Sequence, residues 1–494
     1  MSVIVESSNP SSDSFANQVR SAVIWRSGSQ ILAQLVQWSA TFLVLRILSP
    51  SDYGLFAMTQ VILVFLNMLN GYGLASGLIQ QPHIAKRDIR QLFGMLVLLN
   101  AALAIGQLAL APLAAAYYRQ PMIADMLRVQ ALLYLTTPFI ALPYALLSRR
   151  MEFRHQARAN ITASIASASA ALGGAMLGFG VWTLVIAPIV LFAVRGAMMT
   201  WSAGSLVWPT FDFRGAGTIA RYGGVMAAGQ LFWFAQSQAD VFIAGRFLSA
   251  HHLGIYTTAL FLTQIFVSKF VPPLNEVAFS AYARMQADPT AIGRAFLRAV
   301  RVVMAAALPF YFGLAVTAEP IVLTMLGEKW AEAIPIVRLL ALAMPFMTLQ
   351  VLVTPACDAR GRPGIGVVNG ACGSLVLAAA FLAGVHYGPT GLAIGWIAAY
   401  PVYLAISLWR SLPIIGATIA SVARAILPSL IAALLMAGIV ATIDGWLPPM
   451  IPPLRLALLT GIGALVYVGA LAIVARPVLR EAVAMVRGRP LQTD

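Results

Sequence analysis

The sequence predicts an all-α polytopic membrane protein with about fourteen transmembrane helices: two six-helix lobes related by a pseudo-two-fold axis along the membrane normal, then two C-terminal helices. Three observations predict it. Apolar runs of roughly 18 residues or more recur along the whole chain. Basic residues crowd into alternate loops. A stretch of the first span returns 200 residues later.

Composition agrees. Of 494 residues, 60% are hydrophobic and 10% charged, and the mean hydropathy is +0.83. Soluble domains carry about a quarter charged residues. This chain lacks the polar surface that a soluble core of its size would need.

Residues 1–20 form a polar tail rich in Ser and Asn. It has no apolar core before a cleavage site, so no cleaved signal peptide is expected and the first span is its own insertion signal. Six spans near 22–47, 54–79, 92–116, 123–147, 159–179 and 181–204 define an N-lobe over 21–210. Six more near 223–247, 254–280, 296–317, 335–356, 364–385 and 391–411 define a C-lobe over 211–415. Spans near 425–443 and 454–475 fill 416–476, and 477–494 is a second tail. Pro112, Pro138, Pro143, Pro188, Pro272, Pro273, Pro309 and Pro345 fall within spans, where they kink helices and free carbonyls.

One set of loops holds Lys86, Arg87 and Arg90; Arg149, Arg150, Arg154 and Arg158; Arg214 and Arg221; and Arg284, Arg294, Arg298 and Arg301. It continues through Arg360, Arg362, Arg410 and Arg424 to Arg476, Arg480, Arg487 and Arg489. The other set carries Arg119, Lys329 and Arg455 together with Glu319, Glu328 and Glu332. The positive-inside bias puts the first set and both termini in the cytoplasm. It also accounts for the net charge of +15 without nucleic acid.

Arg46-Ile-Leu48-Ser49-Pro-Ser-Asp-Tyr-Gly54 aligns without a gap on Arg246-Phe-Leu248-Ser249-Ala-His-His-Leu-Gly254. Gln30 meets Gln230 and Phe42 meets Phe242 at the same offset. Six spans lie within that offset, so the first and seventh helices point the same way. Chance similarity of apolar helices ending in Arg and Gly is the alternative.

The first span carries Arg26, Gln30, Gln34 and Gln37 within about 80° of one another at 100° per residue. A charge inside a span costs about 2.5–3.5 kcal/mol, so such residues usually face a bundle interior or a watery cavity. The helix reads as one wall of a polar cavity.

Other chemistry classes find no support. Cys357 and Cys372 show neither a disulfide framework nor metal spacing. HExxH, CxxC and P-loop motifs are absent. Gly71-Tyr-Gly73-Leu-Ala-Ser76 falls one glycine short of a dinucleotide fingerprint and follows no strand. Asn160-Ile-Thr162 is a glycosylation sequon on the predicted cytoplasmic side. No catalytic residue, metal or cofactor is expected.

RILSPSDYGLFAM (Arg46–Met58), GLASGLIQQ (Gly73–Gln81), SRRMEFRHQA (Ser148–Ala157) and LGEKWAEAIPIVRLLAL (Leu326–Leu342) resemble the polysaccharide flippase family. That family includes the Wzx-type flippases of the multidrug/oligosaccharidyl-lipid/polysaccharide exporter superfamily. The resemblance covers most of the chain to about residue 415, and LGEKW with the Arg46 loop is its most specific part. It implies a central cavity lined by spans 1, 2, 7 and 8, and alternating access. The implied cargo is an oligosaccharide on undecaprenyl pyrophosphate, moved across a bacterial inner membrane. Membrane lipids, a polysaccharide polymerase and export machinery are the other implied partners.

Such a cargo needs cations or helix N-termini for its diphosphate, and amides and hydroxyls for its sugars. Arg26 is the cation of span 1, unless it snorkels to the head groups, and Gln30, Gln34 and Gln37 are sugar partners. In span 7, Gln230, Trp233, Ser237 and Asp240 share a face; Trp233 either stacks on a sugar or packs against neighbours. Asp240 has no charged neighbour in sequence, which makes it a coupling candidate or half of an ion pair with Lys269 or Arg46. Span 8 places Gln264, Lys269, Asn275 and Glu276 around Pro272-Pro273; Lys269 is a second diphosphate contact and Glu276 a gate residue. Asn67 and Asn70 of span 2 face the cavity or join helices. Arg195 of span 6 faces an ion pair or the cavity, and Arg46 and Arg246 compensate helix C-termini.

No ATP site is visible, so an ion gradient or the membrane potential would supply energy. A drug or small-molecule exporter on the same fold is the nearest alternative. A membrane polymerase or ligase would be expected to carry a long external loop with basic and His residues, which this chain lacks.

Overall fold

The computed structural model describes residues 12–70, 85–212, 232, 234–286 and 288–474, with side chains in the first helix described from Gly28 onward. Among the described residues all regular structure is helical, and ten helices are long and apolar enough to cross a membrane. This is a multi-pass membrane protein. One of the ten, Pro363–Ile415, joins the eleventh and twelfth predicted spans. The second and seventh predicted spans run into residues outside the described set. The fifth, Phe153–Met176, falls short because Ala, Ser and Gly replace larger apolar side chains.

The chain divides into two compact units, residues 1–48 with 59–230 and residues 49–58 with 231–494. The first unit holds α1 (Ser12–Ile47), the second half of α2 (Pro50–Asn67) and α3 (Lys86–Tyr118). A broken helix follows as α4 (Met122–Gln130), α5 (Leu132–Thr136) and α6 (Pro138–Arg149), then α7 (Phe153–Met176) and α8 (Val181–Ala203). Pro138 opens α6 at a position where a missing N–H costs nothing. Small residues on α7 let it pack closely between α1 and α8, the usual route to helix association in lipid. Leu92, Phe93 and Leu96 of α3 pack against Ala141, Leu142, Ala145 and Leu146 of α6. The segment after α8 lies across α3, where Thr210 donates to the Arg90 carbonyl (3.1 Å) and Arg87 pairs with Asp212 (2.8 Å). Gly94 admits it, since a Cβ there would overlap the Thr210 carbonyl.

The second unit contains the start of α2, α9 (residues 234–247), α10 (Ala250–Lys269) and α11 (Val271–Arg284). It continues with α12 (Pro289–Val316), α13 (Ala318–Met325), α14 (Ala333–Val351) and α15 (Val353–Ala359). Four long helices close it: α16 (Pro363–Gly384), α17 (Gly388–Ile415), α18 (Ile419–Trp446) and α19 (Pro452–Val474). Side-chain caps start several of these. The Ser249 hydroxyl accepts from His252 N–H (3.3 Å), and Asp288, ahead of Pro289, accepts from Thr290 N–H (2.8 Å).

Within this unit the two repeated turns touch. A Cβ on Gly54 would overlap the Ala250 carbonyl, and a Cβ on Gly254 would overlap the Pro50 carbonyl. The two contacts interchange under the 200-residue offset. The LGEKW loop binds both turns. Trp330 is fully buried with its ring 5.6 Å from that of Tyr53, and Glu332 meets His251 at 3.1 Å. Gly327, at φ 98°, supplies the left-handed turn that starts the loop. Burial pulls the Lys329 ammonium below its ordinary range, and the Asp52 carboxylate opposes that pull.

Prolines free carbonyls in both units, and other helices satisfy them. Pro143 leaves the Phe139 carbonyl without its helical donor, and the Thr200 hydroxyl takes it at 2.9 Å. Pro309 does the same to Ala305, where Tyr467 of α19 donates at 2.6 Å. Val351, four residues before Pro355, accepts from the Asn275 amide at 3.1 Å.

Two outcomes are expected. Gly54→Leu and Gly254→Leu each drive a side chain into backbone, so the loss exceeds the roughly 1–3 kcal/mol of ordinary overpacking and folded yield falls sharply by size-exclusion chromatography. Tyr467→Phe leaves one carbonyl unpaired and lowers stability by about 1–2 kcal/mol, read as a lower thermal midpoint in detergent.

Candidate functional site

Two polar clusters stand out, one in each unit. In the first unit a cavity of about 610 Å³ opens between α1, α6, α7 and α8. Gln30, Gln34 and Gln37 of α1 line one side. Gln156, Asn160 and Ser164, spaced four apart on α7, line the other. Ser29, Tyr144 and Arg195 complete the polar lining, with Ile140, Leu191 and Met199 supplying apolar floor. The Gln156 amide nitrogen donates to Ser148 Oγ (2.8 Å) and to the Tyr144 carbonyl (3.3 Å), which fixes its rotamer against α6. Neutral amides and a phenol surrounding one guanidinium suit a hydroxyl-rich ligand.

In the second unit the polar groups are sealed. Asp240 on α9 is 1% exposed and accepts a 2.7 Å hydrogen bond from Tyr256 of α10. Trp396 of α17 donates to the same Tyr256 oxygen at 2.6 Å and stacks on Tyr400 at 5.0 Å. Gln350 of α14 donates to Tyr403 at 2.7 Å, and Tyr403 donates to Gln236 at 3.4 Å. Gln236 and Asp240, one turn apart, therefore face a wall of aromatic hydroxyls and indole. The partner of Asp240 here is a phenol.

The remaining predicted residues are dispersed. Arg26 lies in α1, but its side chain is outside the described residues, as are Gln230 and Trp233. The Ser237 hydroxyl donates within its own helix to the Phe234 carbonyl (3.2 Å). Gln264 is half-buried on α10. Lys269, expected deep in its span, is exposed at the last residue of α10, where the helix breaks at Phe270 before the double proline. Glu276 is exposed on α11. Asn67 is exposed; the buried Asn70 donates its side-chain amide to Asn67 (3.4 Å), and its backbone carbonyl accepts from Asn100 of α3 (3.2 Å). Gln156, Asn160 and Ser164 are absent from the predicted site; their four-residue spacing, from just before the predicted fifth span into it, was the available signal.

The model of a family described as polysaccharide biosynthesis protein matches residues 43–335. The chain belongs to that family. Among relatives of this family member, succinoglycan biosynthesis transport protein ExoT of Rhizobium meliloti (strain 1021) is 29% identical over 305 residues, 61% of this chain and 61% of ExoT. The match thus spans less than two thirds of the length of ExoT. Teichuronic acid biosynthesis protein TuaB of Bacillus subtilis (strain 168) is 24% identical over 392 residues, 78% of this chain and 80% of TuaB. The solved structure of lipid II flippase MurJ in an inward closed conformation is similar in fold, with a TM-score of 0.75. The match covers 92% of this chain and 100% of that one at 14% identity.

Tyr256→Phe removes one hydroxyl from between Asp240 and Trp396 and leaves two buried polar atoms without their partner. Each unmet group costs about 1–3 kcal/mol, so the thermal midpoint of the purified protein falls further than in Thr257→Val, a one-bond control on the same helix.

Proposed function

We propose that this polysaccharide biosynthesis protein is a flippase. It would translocate a polyprenyl-pyrophosphate-linked oligosaccharide repeat unit across a bacterial inner membrane for surface polysaccharide synthesis, by alternating access of two six-helix lobes with both termini cytoplasmic. The observation that carries this reading is the amide-lined cavity of the first unit, where Gln30, Gln34 and Gln37 face Gln156, Asn160 and Ser164. Lipid offers no partner for so many amides, and sugar hydroxyls do. The names of ExoT, a succinoglycan biosynthesis transport protein, and TuaB, a teichuronic acid biosynthesis protein, support the same class.

The cavity belongs to the cytoplasmic half of the predicted topology. Gln30 lies early in the first span, Phe153 and Gln156 begin the fifth, and Arg195 is late in the sixth. A repeat unit assembled in the cytoplasm would meet this side first. Arg26 and Lys269 are the proposed diphosphate contacts, and Asp240 the proposed coupling residue. A drug exporter of the same superfamily remains the second reading; polar lining spread over four helices favours the glycan.

Deletion of the gene should abolish surface polymer and accumulate lipid-linked repeat units in the inner leaflet. Flipped but unpolymerised units in the periplasm would instead favour a polymerase. Replacing Gln30, Gln34 and Gln37 together by Leu removes three amides at about 1 kcal/mol each, so export should fall roughly a hundredfold with insertion intact. Arg26→Ala and Lys269→Ala should each stop export, and normal polymer output from both would remove the diphosphate assignment.

A further inference from the structure

We propose that an apolar groove between α8 and the α5–α6 break seats one acyl chain of an anionic phospholipid, with the lipid phosphate held by Arg150. The groove, about 630 Å³, is floored by Ala193, Gly196 and Ala197 of α8 and flanked by Leu135, Phe139 and Trp201. Among the described residues no charged side chain lines it. Its two threonines spend their hydroxyls on backbone: Thr136 Oγ1 donates to the Leu133 carbonyl (2.7 Å) and Thr200 Oγ1 to that of Phe139 (2.9 Å). The lining therefore offers methylene contacts and no hydrogen bonds, which suits a hydrocarbon chain and excludes a sugar.

Length narrows the chain. The lining follows α8 from Ala193 to Gly204, about 16 Å at a helical rise of about 1.5 Å per residue. That is about half of the roughly 30 Å hydrocarbon core, the depth of one leaflet. In the predicted topology it is the cytoplasmic half: the sixth span ends on that side, and Trp201, exposed near its end, sits where interfacial aromatics are favoured. An acyl chain matches this depth; a polyprenyl chain, several times longer, overruns it.

A cation stands at the same end. Arg150 Nη1 donates to the Ala203 carbonyl at 3.3 Å, one residue from Gly204 of the lining. A guanidinium carries several N–H donors, and this contact uses one, so its planar fork remains for phosphate oxygens. Glu152, the acid nearest in sequence, lies against His155 at 3.7 Å. Apolar lining toward mid-membrane and a cation at the interface reproduce the layout of a single lipid. A zwitterionic lipid brings the same chain, but its own ammonium competes for the phosphate; phosphatidylglycerol leaves that charge to Arg150. On the other face of α8, Leu191 and Met199 line the amide cavity, so the seated lipid backs one of its walls.

Native mass spectrometry of the purified, delipidated full-length protein tests the site, with phosphatidylglycerol, phosphatidylcholine of the same chains and undecaprenyl phosphate as probes. The wild type should bind its first phosphatidylglycerol about tenfold tighter than phosphatidylcholine, and Arg150→Gln should bring the two within about twofold. Arg424→Gln, which removes an exposed arginine of another loop in the same basic set, should leave the preference intact. Ala197→Trp places a ring in the groove and should abolish that first binding event for both lipids; Ala193→Phe, one turn earlier, repeats the test if Ala197→Trp does not fold. Equal binding of the two phospholipids by the wild type, equal losses in Arg150→Gln and Arg424→Gln, or undiminished binding by a folded groove-filling variant overturns the inference. Displacement of the first phosphatidylglycerol by undecaprenyl phosphate also overturns it, by assigning the groove to the chain of the cargo.

Discussion

A backbone carbonyl in lipid has no water to turn to, and this constraint shapes most of the polar chemistry described here. Helices meet it by themselves until a proline removes a donor. Pro143, Pro309 and Pro355 each do so, and Thr200, Tyr467 and Asn275 each restore a donor from elsewhere in the same unit. The prolines thus bend helices and also dictate which helix must lie alongside. Tyr467 ties α19 to α12, and Asn275 ties the second half of a broken helix to the break in another.

The two units spend their polar residues differently. The first leaves Gln30, Gln34 and Gln37 around a cavity, where only a visiting ligand or water can use their full bonding capacity. The second pairs its polar groups with one another, Asp240 with Tyr256 and through it Trp396, and Gln350 with Tyr403 and through it Gln236. A carboxylate held this way is costly to expose and costly to strip of its phenol. The units therefore differ in whether their polar side chains line an open cavity or bond to one another.

Much of this was legible in the sequence because helical periodicity is simple. The glutamine strip on α1 could be read from spacing alone; the pocket it lines is shared with the fourth, fifth and sixth spans, whereas the resemblance implies a cavity of spans 1, 2, 7 and 8. The double proline marked the break at Phe270. What periodicity does not give is the partner across the gap. Gln156 lies in a basic stretch and Asn160 opens a glycosylation sequon, so neither local sequence marks its residue as cavity lining. Asp240 was recognisable as buried, but Tyr256 and Trp396 lie 16 and 156 residues onward, where no local pattern connects them. Lys269 looked deep because its span is long; the break one residue later makes it a helix end instead.

Gly54 and Gly254 make contacts of the same form. Each glycine rests on the backbone of the other's turn, and exchanging the numbers by 200 returns the same pair of contacts. Two identical polypeptides meeting across a dyad would make that mutual contact. The internal repeat read from the sequence calls for a contact of this form, with Asp52 in one turn standing where the other has His252.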